Sequence, residues 1–346
     1  MKSLVALTDY LNRFGSKWIA SPYRSGMDKG ILKESFSHFG YECEFRSYSN
    51  IDFRVDNYNL FPVVYSSSED VDGYYRDYIE DILLGLEELG ALIIPKYTLF
   101  RAHHNKVFME ILRDLMPIED AHRIRSLSFG TLEELNQNLS NIAFPCVIKT
   151  ASGASGSGVF CAHSATQLIK YAKKISRTVN WASEAWDVGR ALKHKGYRRE
   201  SLHRRKFIVQ SFIEGLSHDW KVLVFGNRYY ALRRNNRNRD FRASGSGLLE
   251  YREDTPYPVL DFASKIYDYL NIPNLSLDIA YDGTNVYLIE FQCVNFGTHT
   301  LDTAPFYFTK SGSEWKRFSE PSCLEFVYAE SISSFLDIKY ANTNNS

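Results

Sequence analysis

Apolar positions change period several times along this chain, and the changes mark out its elements. Between Lys17 and about Pro95, short β-like runs alternate with helical ones. Trp18-Ile19-Ala20 reads as a short strand ahead of a helix over 27–39, residues 42–48 alternate like a half-buried strand, and Phe61-Pro-Val-Val-Tyr65 is another strand. Ile79, Ile82, Leu83, Leu86 and Leu89 fall on one helical face that Gly90 ends, and the buried-strand run Ala91-Leu-Ile-Ile-Pro95 follows at once. Strand, helix, strand in this rhythm predicts a small α/β unit with a largely parallel sheet.

Downstream, 105–115 and 165–177 carry helical spacing, and between them Phe144-Pro-Cys-Val-Ile-Lys149 reads as a strand. Residues 207–210 form another strand, which runs into a linker ending at Gly215. Residues 220–234 read as a hairpin about a Gly226-Asn227 turn. A helix over 261–270 then precedes two strands, 276–281 and 286–292, joined around Asp282-Gly283, and the polar end 342–346 reads as frayed.

Composition narrows the classes. Hydrophobic residues make up 44% of the 346, which argues for folded cores and against extended disorder. Lys+Arg and Asp+Glu balance at 41 each, so no global field draws the chain to nucleic acid or to an anionic membrane, and any basic function must be local. The basic stretch 181–206 reads as a solvated insertion or a local anion clamp, because it lacks a recognisable nucleic-acid-binding pattern. Five scattered cysteines with no C-x-x-C pair speak against a disulfide framework and a zinc site, which fits a reducing cytoplasm. The N-terminal apolar run is broken too early for a signal peptide, and no stretch approaches the roughly 20 apolar residues needed to span a bilayer.

Two places carry candidate chemistry. Lys149 stands directly ahead of a loop, Thr-Ala-Ser-Gly-Ala-Ser-Gly-Ser-Gly158, whose glycines let backbone N–H groups converge on an anion. A P-loop places its lysine after the glycines, and a Rossmann turn opens a helix where this loop opens a strand, so neither motif applies. The second place is the strand pair near the C-terminus. Asp278 and Glu290 lie across its turn from each other, and Gln292 shares the side of Glu290, so two carboxylates and an amide oxygen form a hard-oxygen set suited to Mg²⁺.

With these residues in order, the chain resembles the ATP-grasp superfamily, and its RimK-like amino-acid ligases in particular, from about His104 to Gly297. The linked series Asp219-Trp-Lys-Val-Leu-Val-Phe-Gly, Arg233-Arg234, Asp240-Phe-Arg242-Ala-Ser244, Asp278 and Glu290-Phe-Gln292 carries the resemblance. It implies an α/β and α+β chain: an ATP-grasp fold of two α+β subdomains clasping ATP, preceded by a small Rossmann-like α/β domain. The implied boundaries are 1–97 for that first domain, 98–142 for a helical connector, 143–214 for the lid subdomain with the insertion 181–206, 215–340 for the metal-binding subdomain and 341–346 for the tail. Lys106 and Lys149 match the phosphate lysines, and Ser152, Gly153, Ser155, Gly156 and Gly158 match the loop over the β/γ end of ATP. Gln210, Ser211 and Ile213 match the adenine-reading linker, and Glu214 and Asp219 match partners of the ribose. Lys221 and Ser244 also fall on the nucleotide side, and Arg233 and Arg242 fall near the transferring phosphoryl group, although only one of Arg233 and Arg234 can point inward. Asp278, Glu290 and Gln292 match the ligands of Mg²⁺ or Mn²⁺.

Three departures stand out: Gln292 replaces an asparagine, Lys221 replaces an arginine, and Cys293 to Thr300 replaces a short Pro-Gly turn, placing Asn295 and His299 on the acceptor side. The implied activity is a carboxylate-amine ligase that forms an amide or peptide bond through an acyl phosphate and releases ADP and phosphate. Its partners are small-molecule or peptide substrates, with no nucleic acid and no membrane, and homo-oligomerisation is left open. A phosphotransferase on the same fold and a nucleotide-binding protein without turnover are the alternatives.

Overall fold

The computed structural model describes residues 1–68, 70–153, 158–238 and 240–343. The chain divides into two compact units, one of Met1–His103 with Ser217–Ser346 and the other of His104–Leu216.

The first unit begins with β1 (Lys2–Thr8), α1 (Lys29–His38), β2 (Tyr41–Ser47), β3 (Pro62–Tyr65), α2 (Tyr74–Glu88) and β4 (Leu92–Ile94), followed by α3 (Tyr97–His103). The strands pair in parallel in the order β2-β1-β3-β4. β1 buries Leu4, Val5, Ala6 and Leu7 in succession, as a strand covered on both faces requires. Asp28 caps α1 by accepting from the N–H groups of Gly30 and Ile31, and α2 buries Ile79, Leu83 and Leu86. The first strand is therefore Lys2–Thr8, and the expectation of one at Trp18-Ile19-Ala20 is corrected. Trp18 and Ile19 lie in an irregular segment at 57% and 59% exposure, so their apolar run marks a surface loop.

The second unit contains α4 (Lys106–Asp114), β5 (Ser126–Phe129), α5 (Leu132–Gln137), β6 (Cys146–Thr150), β7 (Val159–Ala162), α6 (Ala165–Ser176), α7 (Trp181–Lys193) and β8 (Phe207–Ser211). Its antiparallel sheet runs β5-β8-β6-β7 over a core that includes Leu135, Ile148, Leu168, Ala172, Phe207 and Val209. The segment 98–142 thus supplies a strand as well as helices. The insertion folds into α7, which buries no residue and neutralises part of its own charge: Glu184 and Asp187 pair with Arg199, and Tyr197 donates to Asp187.

The first unit resumes with β9 (His218–Phe225), β10 (Arg228–Asn235), β11 (Leu249–Glu250), α8 (Tyr257–Leu270), β12 (Asn274–Tyr281), β13 (Val286–Gln292), α9 (His299–Asp302), β14 (Tyr307–Ser311), β15 (Glu314–Phe318) and α10 (Leu324–Thr343). The strands form a seven-stranded sheet in the order β13-β12-β9-β10-β14-β15, with β11 paired to β10. Both expected turns are present, with Gly226 and Gly283 at φ +56° and +97°, where L-residues are strained. Asp282 ties the second turn by accepting from the N–H groups of Thr284 and Asn285. One hydrophobic core joins this sheet, α10 and the parallel sheet, with Leu4, Phe36, Leu223, Phe225, Ile332 and Leu336 among its members. α10 runs through Thr343, so the tail read as frayed from 342 begins as helix, and 344–346 lie outside the described residues. Among the described residues, no helix is long and apolar enough to cross a membrane.

Candidate functional site

The pairing register of three strands assembles a charged face on the seven-stranded sheet. Glu290 on β13 stands opposite Asp278 on β12, and Asp278 stands opposite Lys221 on β9, so these three make one row. Asp219 lies two residues before Lys221 on the same side of β9, opposite Arg234 on β10, and Gln292 extends the row on β13 opposite Ser276. A register shift between Asp278 and Ile279 inserts an irregularity at the row itself, the kind of device that re-aims side chains.

The side chains interlock. Lys221 Nζ donates to Asp278 Oδ1 at 2.8 Å, and Arg234 Nη2 reaches Asp278 Oδ2 at 2.9 Å. Arg234 also grips Asp219 in a two-pronged pair at 2.7 and 2.8 Å. Burial works to raise the Asp278 carboxyl, but Arg234 and then Lys221 outweigh it and hold the group well below the usual carboxylate range. For Asp219 burial prevails over Arg234, and its carboxyl is pushed up.

Arg233 points to the other face. There it meets His218 Nδ1 at 3.3 Å and Glu250 at 3.8 Å, and burial together with Arg233 and Arg252 lowers the titration of His218. Strand alternation thus moves the expected arginine from Arg233 to Arg234. Arg242 is held by Asp240, with Nε at 2.9 Å and Nη2 at 2.8 Å from its oxygens, and Ser244 follows half-buried in the same loop.

The other unit holds the lysines. Lys149 is buried on β6, and Lys106 sits in the first turn of α4, where Asn105 caps the helix. The Lys106 N–H donates to Ala151 O at 2.8 Å and its Nζ donates to Gly153 O at 3.1 Å, so both bind the entry to the glycine loop. Ser152 and Gly153 are exposed, while Ser155 and Gly156 lie outside the described residues. Gly158 closes the loop by accepting from Thr150 N–H at 3.1 Å; a Cβ on Gly158 would come within 2.3 Å of Thr150 Oγ1.

Glu110, one turn after Lys106 on α4, is a residue that sequence reasoning missed. It is buried against Arg113, with which it forms an ion pair, and Lys149, Ser126 and Gln210 also face it. Burial pushes its carboxyl up, and Arg113 and Lys149 offset part of that rise. A glutamate alone in a helix carries no sequence signal of such an environment. Gln210 is buried on β8, whereas the Ser211 hydroxyl, at the end of that strand, accepts from Arg125 N–H at 3.1 Å just ahead of β5. Beyond β8, Ile213 is half-buried and Glu214 is exposed. In the segment after Gln292, the His299 ring packs edge-on to Trp18 at 5.1 Å, and Asn295 adopts φ +48° beside a cleft lined by Ser66, Asn274 and Cys293.

Among the described residues, no group of three or more His, Cys, Asp or Glu side chains is arranged to hold a metal ion. Two carboxylates and one amide oxygen still suit a hard divalent cation that keeps several waters. Both oxygens of Asp278 rest on cationic side chains, so a metal bound there competes with Lys221 and Arg234 for the carboxylate and is repelled by them.

No protein-family profile and no curated protein matches the sequence. Solved structures do match. The D-cycloserine synthetase DcsG superposes with a TM-score of 0.55 at 12% identity, over 96% of this chain and 99% of that one. The ATP-grasp ligase PsnB, solved with a minimal precursor, gives 0.50 at 13% identity over 97% and 99%. The macrocyclase MdnC from Microcystis aeruginosa MRC, bound with its precursor peptide MdnA, gives 0.50 at 10% identity over 97% and 99%. The likeness is one of fold, and the fold is ATP-grasp.

Proposed function

We propose that this protein is an ATP-dependent carboxylate-amine ligase. The observation that carries the reading is the row Glu290, Asp278, Lys221 with the Asp219–Arg234 pair beside it, in a chain of ATP-grasp fold. A carboxylate is a poor electrophile and oxide a poor leaving group, so amide formation needs prior activation. Attack of a substrate carboxylate oxygen on the γ-phosphorus of ATP breaks the bond to ADP and gives an acyl phosphate. An amine then attacks the carbonyl carbon, loses a proton and expels phosphate.

In this reading Lys106 and Lys149 bind phosphate oxygens, with the loop of Ser152, Gly153, Ser155, Gly156 and Gly158 covering them. Gln210, Ser211 and Ile213 hold the adenine, and Glu214 and Asp219 are assigned to the ribose side, although the Arg234 clamp leaves Asp219 a bracing role as well. Arg234 and Arg242 steady charge on the transferring phosphoryl group, alongside Lys221 and Ser244. Asp278, Glu290 and Gln292 would hold Mg²⁺ or Mn²⁺, which when bound neutralises phosphate charge. PsnB has been solved with Mg and ADP, which supports the same pair here. The donor and acceptor are assigned only as a small-molecule or peptide carboxylate and an amine.

The test is chemical trapping. A panel of carboxylic acids and peptides is screened with ATP and Mg²⁺ for ADP release, and hits are repeated with hydroxylamine. A hydroxamate is expected wherever an acyl phosphate forms. ADP release with a stable phosphorylated product and no hydroxamate would replace the ligase reading with a phosphotransferase.

A further inference from the structure

Four charged side chains close on one another on the carboxylate face, and their charges cancel. Arg234 is anchored in that group, with two prongs on Asp219 at 2.7 and 2.8 Å and its Nη2 also 2.9 Å from Asp278 Oδ2. Lys221 holds the other Asp278 oxygen through a single ammonium contact at 2.8 Å. The four side chains are 10–15% exposed, so little water is present to compensate whichever charge loses its partner. A bare divalent cation approaching this face adds two charges to a balanced set, with Glu290 as the one further acid in the row. It must also compete for Asp278 with two cations already in contact with it, which repel it.

Nucleotide changes that balance. Its phosphates bring the negative charge that an extra cation requires, and their oxygens offer Lys221 another acceptor. Resting on the reading of Asp278 and Glu290 as metal ligands, we infer that Lys221 stands in for the divalent cation at Asp278 and makes metal entry conditional on nucleotide. The ammonium moves to phosphate oxygen and Asp278 passes to the metal. A lysine suits this exchange because it is a point charge on a rotatable stem, whereas the fork of an arginine would hold the carboxylate by two hydrogen bonds.

The test titrates Mn²⁺, followed by its electron paramagnetic resonance signal, into the wild-type chain, Lys221→Met and Lys221→Gln, each with and without a non-hydrolysable ATP analogue. Wild type is expected to bind Mn²⁺ at least about tenfold more tightly with the analogue than without it. Both variants are expected to bind nucleotide-free Mn²⁺ at least about tenfold more tightly than wild type, and adding Glu290→Gln to Lys221→Met should abolish that gain. Lys221→Gln keeps a neutral donor toward Asp278 and so guards against a variant that fails to fold. Folded variants with no gain overturn the inference, while loss of the analogue-dependent Mn²⁺ site in Glu290→Gln alone leaves the metal assignment standing. Wild-type affinity that is equal with and without the analogue overturns it whether or not either variant folds. Analogue-dependent Mn²⁺ binding that survives Glu290→Gln removes the metal assignment itself, and the inference with it.

Discussion

Arg234 is the residue on which the charged face depends, because among the described residues it is the side chain whose ion pairs reach both Asp219 and Asp278. Removing it would leave Asp219 without its two-pronged partner, with only the more distant pull of Lys221, and Asp278 with the Lys221 contact, a change expected to cost about 3–5 kcal/mol. Arg234→Lys is expected to recover only part of this, since an ammonium cannot bridge two carboxylates with the same fork. The cost should also depend on pH. In wild type Arg234 and Lys221 hold Asp278 below its ordinary value, a contribution to stability that is lost as pH falls below about 4. Arg234→Met removes the largest attraction holding Asp278 down and the one that most opposes burial at Asp219, whose carboxyl burial already raises, so less stability is gained as the two acids ionise with rising pH. The deficit of Arg234→Met against wild type should therefore be full near pH 8 and shrink as pH approaches about 4. Denaturant unfolding of both proteins across that range measures it, and a deficit independent of pH would show that the aspartates carry no unpaired charge.

At the scale of elements, the loop between β6 and β7 depends on Gly158 for a steric reason. A Cβ there would meet the Thr150 side chain at 2.3 Å, and Thr150 is β-branched and cannot swing clear. Gly158→Ala is expected to destabilise the protein by about 1–3 kcal/mol, and the double variant Thr150→Ala/Gly158→Ala to regain most of that loss. Equal instability of the single and double variants would exclude the clash as the cause. The same strands show what could be read from the sequence. β6, β8, β9, β10, β12 and β13 were legible because their apolar runs are bounded by glycine or aspartate turns. β5, Ser126–Phe129, was not, since its Ser-Leu-Ser-Phe offers too short an alternation to stand out from a helical connector and gains its place by pairing with β8. The site divides in the same way. The pairing of Asp278 with Glu290 followed from the turn between their strands, but the choice of Arg234 over Arg233 depends on the register between β9 and β10. The environment of Glu110 depends on the packing of α4 against β8, and no local pattern encodes it.

For the whole molecule, equal numbers of acidic and basic residues mean that the proposed nucleotide binding would have to come from local groups, and the residues assigned to it belong to different compact units. Lys149 lies in His104–Leu216, and Glu290 lies in the unit that contains Ser217–Ser346. If both serve one nucleotide, their contributions to its binding cannot be independent. Lys149→Met should weaken binding of a magnesium-loaded, non-hydrolysable ATP analogue by about 1.5–3 kcal/mol, the worth of a hydrogen bond to a charged group. Glu290→Gln should weaken it as well, and without a firmly held metal the phosphates would shift relative to Lys149. The double variant is then expected to depart from the sum of the two single effects by at least 0.5 kcal/mol, whereas sites that share no ligand add to within about 0.3–0.5 kcal/mol. Calorimetric titration of wild type and the three variants closes the cycle. Strict additivity would mean that the lysine of one unit and the carboxylate of the other do not act on the same molecule of ATP, and the ligase reading would lose its nucleotide site even if each residue proved important by itself.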